Sequence, residues 1–588
     1  MLNKKRYQYN ITLNMELHYT TDKSTLILIA LLKAHGIRKI VASPGATNTI
    51  FVASIQHDDF FEIYSSVDER SAAYIACGLS QKSREPVAIS CTEATASRNY
   101  YPGLTEAYYR KLPILAITCF HNMDNIGNLF TQAIDRSQQP KDTIKYSTTI
   151  ENIENQKDEW RVNFEINKAI LELFRDGGGP VHINLQAGKR MDFYEETLPQ
   201  VRVIRRITYT DKFPNLPEGK IAVVVGSHHK FTGQETQAID NFCASHNAVV
   251  FADLVSGYYG KFRVSTSVLG KESNVKQVDL VIHIGEVGWS SATSKQTWRV
   301  SEDGEIRDTY RNLTYLFDMD ITTFFNKYAS SPIQCTYLEA CRAAVERELK
   351  SLPDMPFSNA WIAQQTACKL PHNCVFHVGI LNSFCVWNMF PIDCSIETSC
   401  NFGGFGIDGG ISTLIGSSLA APDTLHIGVF GDLAFFYDMN VIGNRHVGNN
   451  VRIMLINNGK GQEFRNCIHP AYKLGEDGNA YVAAAGHFGN KSANLVKHYA
   501  LDLGYEYLTA STKEDYLAAL PQFLTTESKD YPVIFEVFTE SENESEAVGI
   551  LCHKVHSEHN STKGKIKEAI RTAIGDKGVA TIMNMLKK

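Results

Sequence analysis

The sequence predicts an α/β protein built as three doubly wound parallel-sheet domains in a row. Three observations predict it. Short apolar runs rich in Val and Ile alternate with amphipathic stretches of helical period, the signature of a parallel sheet covered on both faces. That alternation restarts twice, near residues 220 and 358. The chain has 588 residues, enough for about three or four domains of ordinary size.

In the first segment the strand candidates are 37–43, 61–67, 86–90, 113–118 and 181–185, with helical patterns at 22–35, 69–82, 98–110 and 158–175 between them. The second segment opens on KIAVVVG (220–226) and a helical stretch near 233–246. Strands AVVFAD (248–253), VDLVIHIG (278–285) and TYLFDMD (314–320) follow. The third segment carries CVFHVG (374–379), TLHIGVFGD (424–432), NVRIMLINNG (450–459) and PVIFEVF (532–538). Polar, proline-containing segments near 192–218 and 351–357 separate the three. The expected domains are therefore 1–195, 196–352 and 353–555, with a basic, helix-forming tail over 556–588.

Composition narrows the function classes. The chain is 44% hydrophobic and 21% charged, with a net charge of −6. This is ordinary for a soluble globular protein and gives no basic surface for nucleic acid or an acidic membrane. No apolar run is long enough to span a bilayer, and the N-terminus has no secretory pattern. The 13 cysteines are scattered without metal-ligand spacing, so reduced thiols in a cytoplasmic protein are expected.

Chemistry enters at GDLAFFYDMNVIGNRHVGNNVRIMLINNGKGQEF, residues 431–464. One apolar strand ends at Gly431-Asp432 and the next at Asn457-Asn458-Gly459. In an open parallel sheet the carboxyl ends of adjacent strands form the ligand crevice. Asp432 and Asn458 are thus expected to face one another. A carboxylate, an amide oxygen and a loop carbonyl are hard donors, suited to Mg²⁺ shared with a phosphate. Gly431 would let that phosphate approach the backbone at a helix N-terminus. A second carboxylate stands out in VDERSAAYIACGL (67–79), where Glu69 sits at a strand-to-helix junction. It is either a charge favoured by the helix dipole or a buried acid with a catalytic task.

These two motifs resemble those of thiamine diphosphate enzymes: the GDG…NN motif, with Leu433 at the second glycine, and the activating glutamate. SPGATNTIF (43–51), CTEATASRNYYPGLTEAYYRKLPILAIT (91–118), GPVHINL (179–185) and CNFGGFGIDGGISTLIGSSLAA (400–421) resemble further family segments. His182 reads as a packed structural histidine. GIDG..ST, GDL, VDER and FTQAIDR (130–136) together narrow the resemblance to 2-succinyl-5-enolpyruvyl-6-hydroxy-3-cyclohexene-1-carboxylate (SEPHCHC) synthases, over about residues 20–540.

The resemblance implies a fold, a cofactor and a mechanism. The domains would be pyrimidine-binding, central and diphosphate-binding, the central one structural and without FAD. Asp432, Asn458 and the carbonyl of Lys460 would ligate Mg²⁺. Ser383, Gly406, Ile407, Gly431, Asp432, Leu433, Ala434, Asn458, Lys460, Gly461 and Gln462 would contact thiamine diphosphate. Ile407 would lie under the bent cofactor. Glu69 would activate the cofactor, which then attacks a 2-oxo acid and releases CO₂. The remaining carbanion equivalent would be protonated, as in a decarboxylase, or attack an acceptor, as in a carboligase. Glu69 and the diphosphate cradle would come from different subunits, so a dimer or tetramer is expected.

The substrate pocket departs from the family pattern. Thr47, His121, Trp387 and Phe402 stand at or near positions where SEPHCHC synthases carry arginine. Each lost charge-assisted pair costs about 2–5 kcal/mol in a closed site. An acceptor less anionic than isochorismate is therefore expected, with the framework favouring carboligation. Glu93, Gln132 and Lys295 are candidate substrate contacts, and Arg98, Lys460 and Arg465 are candidate carboxylate holders. His469 reads as a bland loop histidine, and His228-His229, after VVVGS in the middle domain, does not match the paired histidines of the pyruvate-decarboxylase branch. Simple 2-oxo-acid decarboxylation, a genuine SEPHCHC synthase with other anion-binding residues, and a non-catalytic scaffold remain as alternatives.

Overall fold

The computed structural model describes residues 18–556, apart from 189–190, 271–272, 488–490 and 528. The tail over 557–588 lies outside the described residues. Residue contacts divide the chain into two units: residues 1–211 with 304–316, and residues 212–303 with 317–588.

The first unit holds a six-stranded sheet. Its strands are β1 (Lys39–Ala42), β2 (Glu62–Ser65), β3 (Val87–Cys91), β4 (Ile114–Phe120), β5 (Tyr146–Ile150) and β6 (Val181–Gln186). The order is β2-β1-β3-β4-β6-β5, and every pairing is parallel. β4 reads ILAITCF and is buried at all seven positions, as a central strand covered on both faces must be. Helices Lys23–Ala34 and Gln156–Glu172 begin at Asp22 and Asn155, whose side chains accept the orphan amides of the first turn. The strand the sequence reading missed here is β5, YSTTI. It is an edge strand, short and half-polar, so it lacks the apolar run that marks the others.

The segment after β6 stays with this unit. β7 (Arg205–Ile207) and β13 (Leu313–Phe317) neighbour one another. Leu171, Ile204, Ile306, Leu313 and Leu316 pack together. Asp308 accepts from Trp160 Nε1 at 2.9 Å and pairs with Arg202 at 2.6 Å.

The second unit contains two sheets. The central one has β8 (Ile221–Val225), β9 (Val249–Ala252), β10 (Arg263–Val264), β11 (Gln277–Ile284) and β12 (Thr293–Val300), in the order β10-β9-β8-β11-β12 and all parallel. This is a nucleotide-fold order, with its switch point between β8 and β11. The crevice there is closed by the chain's own backbone: Ser227 N donates to Val287 O at 2.7 Å, and Glu286 N to Ser227 O at 2.9 Å. β12 was missed because its first half, TSKQ, is polar and only TWRV at its end is continuously buried.

The last sheet has β14 (Val375–Val378), β15 (Glu397–Ser399), β16 (His426–Gly431), β17 (Val451–Asn457), β18 (Glu506–Ala510) and β19 (Val533–Phe538). Its order, β15-β14-β16-β17-β19-β18, is also wholly parallel. Counted from its own first strand this is the order of the first sheet. The three-sheet α/β architecture expected from the sequence is therefore present. Among the described residues no helix is long and apolar enough to cross a membrane, and all 13 cysteines are free thiols.

Burial holds three imidazoles neutral. His182 is held down at about 3, first by desolvation and then by Arg136 and Arg98. His283 is held at about 3 by desolvation and Arg299, and His377 at about 4 by desolvation alone. His182 is satisfied by Thr118 Oγ1 at 2.7 Å and Ser147 Oγ at 2.8 Å. Each folded value lies below the ordinary 6.5, so the unfolded chain takes up protons the fold refuses. Stability is full above that value and falls as pH drops towards the folded values, by on the order of 1 kcal/mol per pH unit per group. Urea-unfolding midpoints measured from pH 7.5 to pH 4.5 are expected to decline progressively in the acid half, with a shallower decline in His182→Gln. A flat profile would contradict this reading.

Candidate active site

The crevice predicted between β16 and β17 is present. β16 ends at Gly431, and Asp432 opens helix Asp432–Asp438 with its side chain buried. Its carboxylate accepts from the amide of Leu433 at 2.9 Å and from those of Gly459 and Lys460 at the end of β17. The two strand ends are thus tied together by one anion. Gly459 has φ +80°, a left-handed turn that glycine adopts without strain.

The paired asparagines divide their work. Asn457 is buried and donates to Glu536 Oε1 at 2.7 Å. Asn458 is half-buried, and its Oδ1 accepts the amide of Lys460 at 3.4 Å. It lines a cleft with Gly431, Asp432, Leu433, Ala434 and Lys460. Ser383, Ile407, Gly461 and Gln462 line the same cleft. Ser383 accepts from Asn359 Nδ2 at 3.1 Å. Gln462 has a satisfied side chain: it donates to Asn466 Oδ1 and Ser541 O, and accepts from Ser541 Oγ at 2.7 Å. Gly406 lies beside Asp408, outside the cleft lining.

Among the cleft members the sequence reading did not name, two stand out. Glu544 is buried on its wall, accepting from Thr539 Oγ1 at 2.7 Å and the amide of Asn359 at 2.9 Å. It lies in a helical, acidic stretch whose other glutamates face solvent, so nothing in the pattern marks it. Leu381 also lines the cleft, at φ 67° and ψ −119°. Such a backbone costs a residue with a Cβ about 1–3 kcal/mol and concentrates at functional sites.

The residues present fit a diphosphate with a divalent cation. Asp432 is a carboxyl group taken out of water, hydrogen-bonded by amides and close enough to Glu544 to act on its charge. Burial pushes its carboxyl up to about 7, against the pull of those amides. Burial likewise pushes Glu544 up to about 7, with the Asp432 charge adding to it. A cation beside Asp432 would remove that penalty. A Cβ on Gly431 would meet nothing within 4 Å, and its φ is an ordinary −73°. Neither packing nor conformation asks for glycine there, and the bare backbone leaves the cleft floor open to a phosphate.

In the first unit Glu69 is the first residue of helix Glu69–Ser83. The capping is done by Asp68, whose side chain accepts the Arg70 amide at 3.2 Å. That leaves Glu69 free of the capping role. It is half-buried and accepts from Asn99 Nδ2 at 3.2 Å. Thr47 is buried against Thr92 Oγ1 at 2.6 Å and Cys119 O at 3.0 Å. Glu93 is buried beside exposed His121, 3.9 Å away. Gln132 is exposed in the loop that follows.

Other candidates are not brought to a cleft. Trp387 is fully buried and donates to Asn359 Oδ1 at 3.0 Å, and Phe402 packs on Phe384 at 4.9 Å. Lys295 pairs with Asp279 at 2.6 Å near the amino ends of β12 and β11, opposite the ligand side of that sheet. Arg98 donates to Asp135 O, Arg465 to Gly475 O, and His469 accepts the Ala471 amide.

A strand-end carboxylate, amide and open glycine on one parallel sheet, with a glutamate freed at a helix start on another, match what the thiamine diphosphate enzymes led us to expect, and comparison with known proteins places the chain among those enzymes. Residues 23–139 match the family described as thiamine pyrophosphate enzyme, N-terminal TPP binding domain. Over 562 residues the chain is 30% identical to the SEPHCHC synthase of Bacteroides thetaiotaomicron, covering 91% of this chain and 99% of that one. The Phocaeicola vulgatus enzyme of that name is 30% identical over 90% of this chain and 97% of its own, and the Christiangramia forsetii one 27% over 87% and 95%. The chain belongs to the SEPHCHC synthase family.

Because the folded Asp432 carboxyl lies above its ordinary 3.8, its burial costs nothing in strong acid. The cost grows as pH rises towards 7 and is constant above, at about 1 kcal/mol per pH unit in between. Asp432→Asn is therefore expected to melt higher than the parent in cofactor-free protein at pH 8. Calorimetric melts should show that gap shrinking steadily between pH 7 and pH 4.

Proposed function

We propose that the chain is a thiamine diphosphate- and Mg²⁺-dependent carboligase. It would decarboxylate a 2-oxo acid and join the remainder to an acceptor other than isochorismate. The observation that carries the reading is the buried Asp432 carboxylate, tied to the amides of two strand ends, at the mouth of an open-glycine cleft. Asp432, the Asn458 side chain and the Lys460 carbonyl would hold the metal. Gly431, Leu433, Ala434 and Gly461 would surround the diphosphate, with Ser383 beside it and Ile407 under the cofactor rings. Gly406 is retained as a flanking contact, and Gln462 as a buried support of the metal loop. The bound cofactor supplies the carbon that attacks a 2-oxo acid and stores the electrons left when CO₂ departs. Glu69 would exchange a proton with the aminopyrimidine nitrogen.

Against isochorismate stand the fates of the four positions that departed from the family. Thr47 is hydrogen-bonded inward, Trp387 and Phe402 are core residues, and His121 faces Glu93. None offers a guanidinium fork to a carboxylate. Thr47, Glu93, His121 and Gln132 remain the proposed acceptor-side contacts. Lys295, Trp387 and Phe402 have other partners and are the weakest of that set.

The proposed domains are 1–195 for the pyrimidine, 196–352 as a structural middle and 353–555 for the diphosphate. Self-association as a dimer or tetramer is part of the proposal. Helix Glu69–Ser83 leaves Tyr74 47% and Ile75 42% exposed, with Val67 81% exposed just before it. A partner covering that face would give Glu69 the apolar surroundings its task requires. Free thiols throughout suit a cytoplasmic location.

Calorimetric titration of thiamine diphosphate and Mg²⁺ should give binding to the parent and to Glu69→Gln. CO₂ release from a panel of 2-oxo acids should fall about 10²–10⁴-fold in that variant. Asp432→Ala should lose metal-dependent cofactor binding outright. Turnover of isochorismate with 2-oxoglutarate by the parent would replace this reading with SEPHCHC synthesis itself.

A further inference from the structure

A second cavity, of about 630 Å³, opens in the second unit away from the cofactor cleft. Its walls are the edge strand β10 with the loop before it, one face of helix Thr336–Lys350, and the segment 388–394. It lies at the β10 edge of the central sheet, not at the switch point between β8 and β11. Leu254, Val345, Leu349, Met389 and Phe390 give it an apolar body.

Its charged groups are almost all cationic, beside the neutral polar side chains of Tyr259, Ser265 and Asn388. Lys261, Arg263, Arg342 and Lys350 line it against a single carboxylate, Glu346. Glu346 is already taken, by Lys350 at 2.5 Å. Among the described residues, Lys261, Arg263 and Arg342 have no carboxylate within ion-pair distance. Arg342 donates to Lys261 O at 2.6 Å and Arg263 to Asp253 O at 3.3 Å. Arg263 is half-buried, its guanidinium 5.3 Å from the Tyr259 ring centre. This surplus of positive charge stands in a chain whose net charge is −6. The nearby Asp253 carboxylate attracts Arg263 through space, but its oxygens are taken by the amides of Val255, Trp289 and Ser290, so a guanidinium in this apolar cavity stays costly unless a further anion joins it.

We propose that this cavity is a binding site for a small amphipathic organic anion, with an apolar body and a single carboxylate or phosphate-type head. Arg263 and Arg342 take the head, and the Val345–Leu349 helix face and Met389–Phe390 take the body. The site is wired to the cofactor cleft through one short piece of chain. Residues 379–383 line the cofactor cleft and 388–394 line this one, with only helix Asn382–Trp387 joining them.

The test uses octanoate as probe, with octan-1-ol as its neutral counterpart, titrated by calorimetry into the full-length cofactor-free protein. One octanoate per chain is expected, binding at least about tenfold more tightly than octan-1-ol, the worth of one charge-assisted contact. Arg263→Met should weaken octanoate about tenfold and leave octan-1-ol unchanged. Arg342→Ala at the exposed rim and Val345→Trp across the cavity should each weaken it as well. Those two keep the test decisive should Arg263→Met fail to fold. No octanoate binding at millimolar concentration, equal affinity for octan-1-ol, or binding indifferent to both Arg342→Ala and Val345→Trp would each overturn the proposal.

Discussion

The contact on which the site depends is the Asp432 carboxylate reaching from the end of one strand to the amides at the end of the next. Parallel neighbours bring their carboxyl ends together but do not fix the loops beyond them. One buried anion accepting from Leu433, Gly459 and Lys460 does so. It sets the turn at Gly459, and through that turn the facing of Asn458 and the course of 460–464. Burial raises that carboxyl to about 7, so the order of the cleft rests on one costly desolvation.

The two outer sheets share one strand order. Each carries a candidate carboxylate at a strand-to-helix junction on the ligand side, at different places in that order: Glu69 after the edge strand β2 and Asp432 after the inner strand β16. Their environments then diverge. Asp432 is buried among amides. Glu69 is half-exposed, relieved of capping by Asp68, and bordered by apolar side chains turned to solvent.

Much of this was legible in the sequence, and the losses have physical causes. Central strands such as ILAITCF are buried on both faces and therefore announce themselves as unbroken apolar runs. Edge strands such as YSTTI and EYLTA are half-polar because one side has no neighbour, and they were passed over. GDL and NNG were readable as a crevice because strand ends alone place them. Glu544 was not, because its burial depends on helix Ser541–His556 packing over the site, a tertiary fact without local signal. Trp387 and Phe402 mark the opposite error. Their alignment with arginine positions said what was missing, but only packing shows that their own rings turn into the core.

Leu381 carries a further consequence. Its left-handed backbone stores strain that glycine would release, while its side chain forms part of the cleft wall. Ala94, at φ 56° and ψ −127°, repeats the backbone but lines no described cleft. Heat tolerance and cleft shape thus pull opposite ways at Leu381 alone. A laboratory lineage selected only for surviving high temperature drifts towards glycine there, and the more durable protein it yields has a looser wall to its cleft.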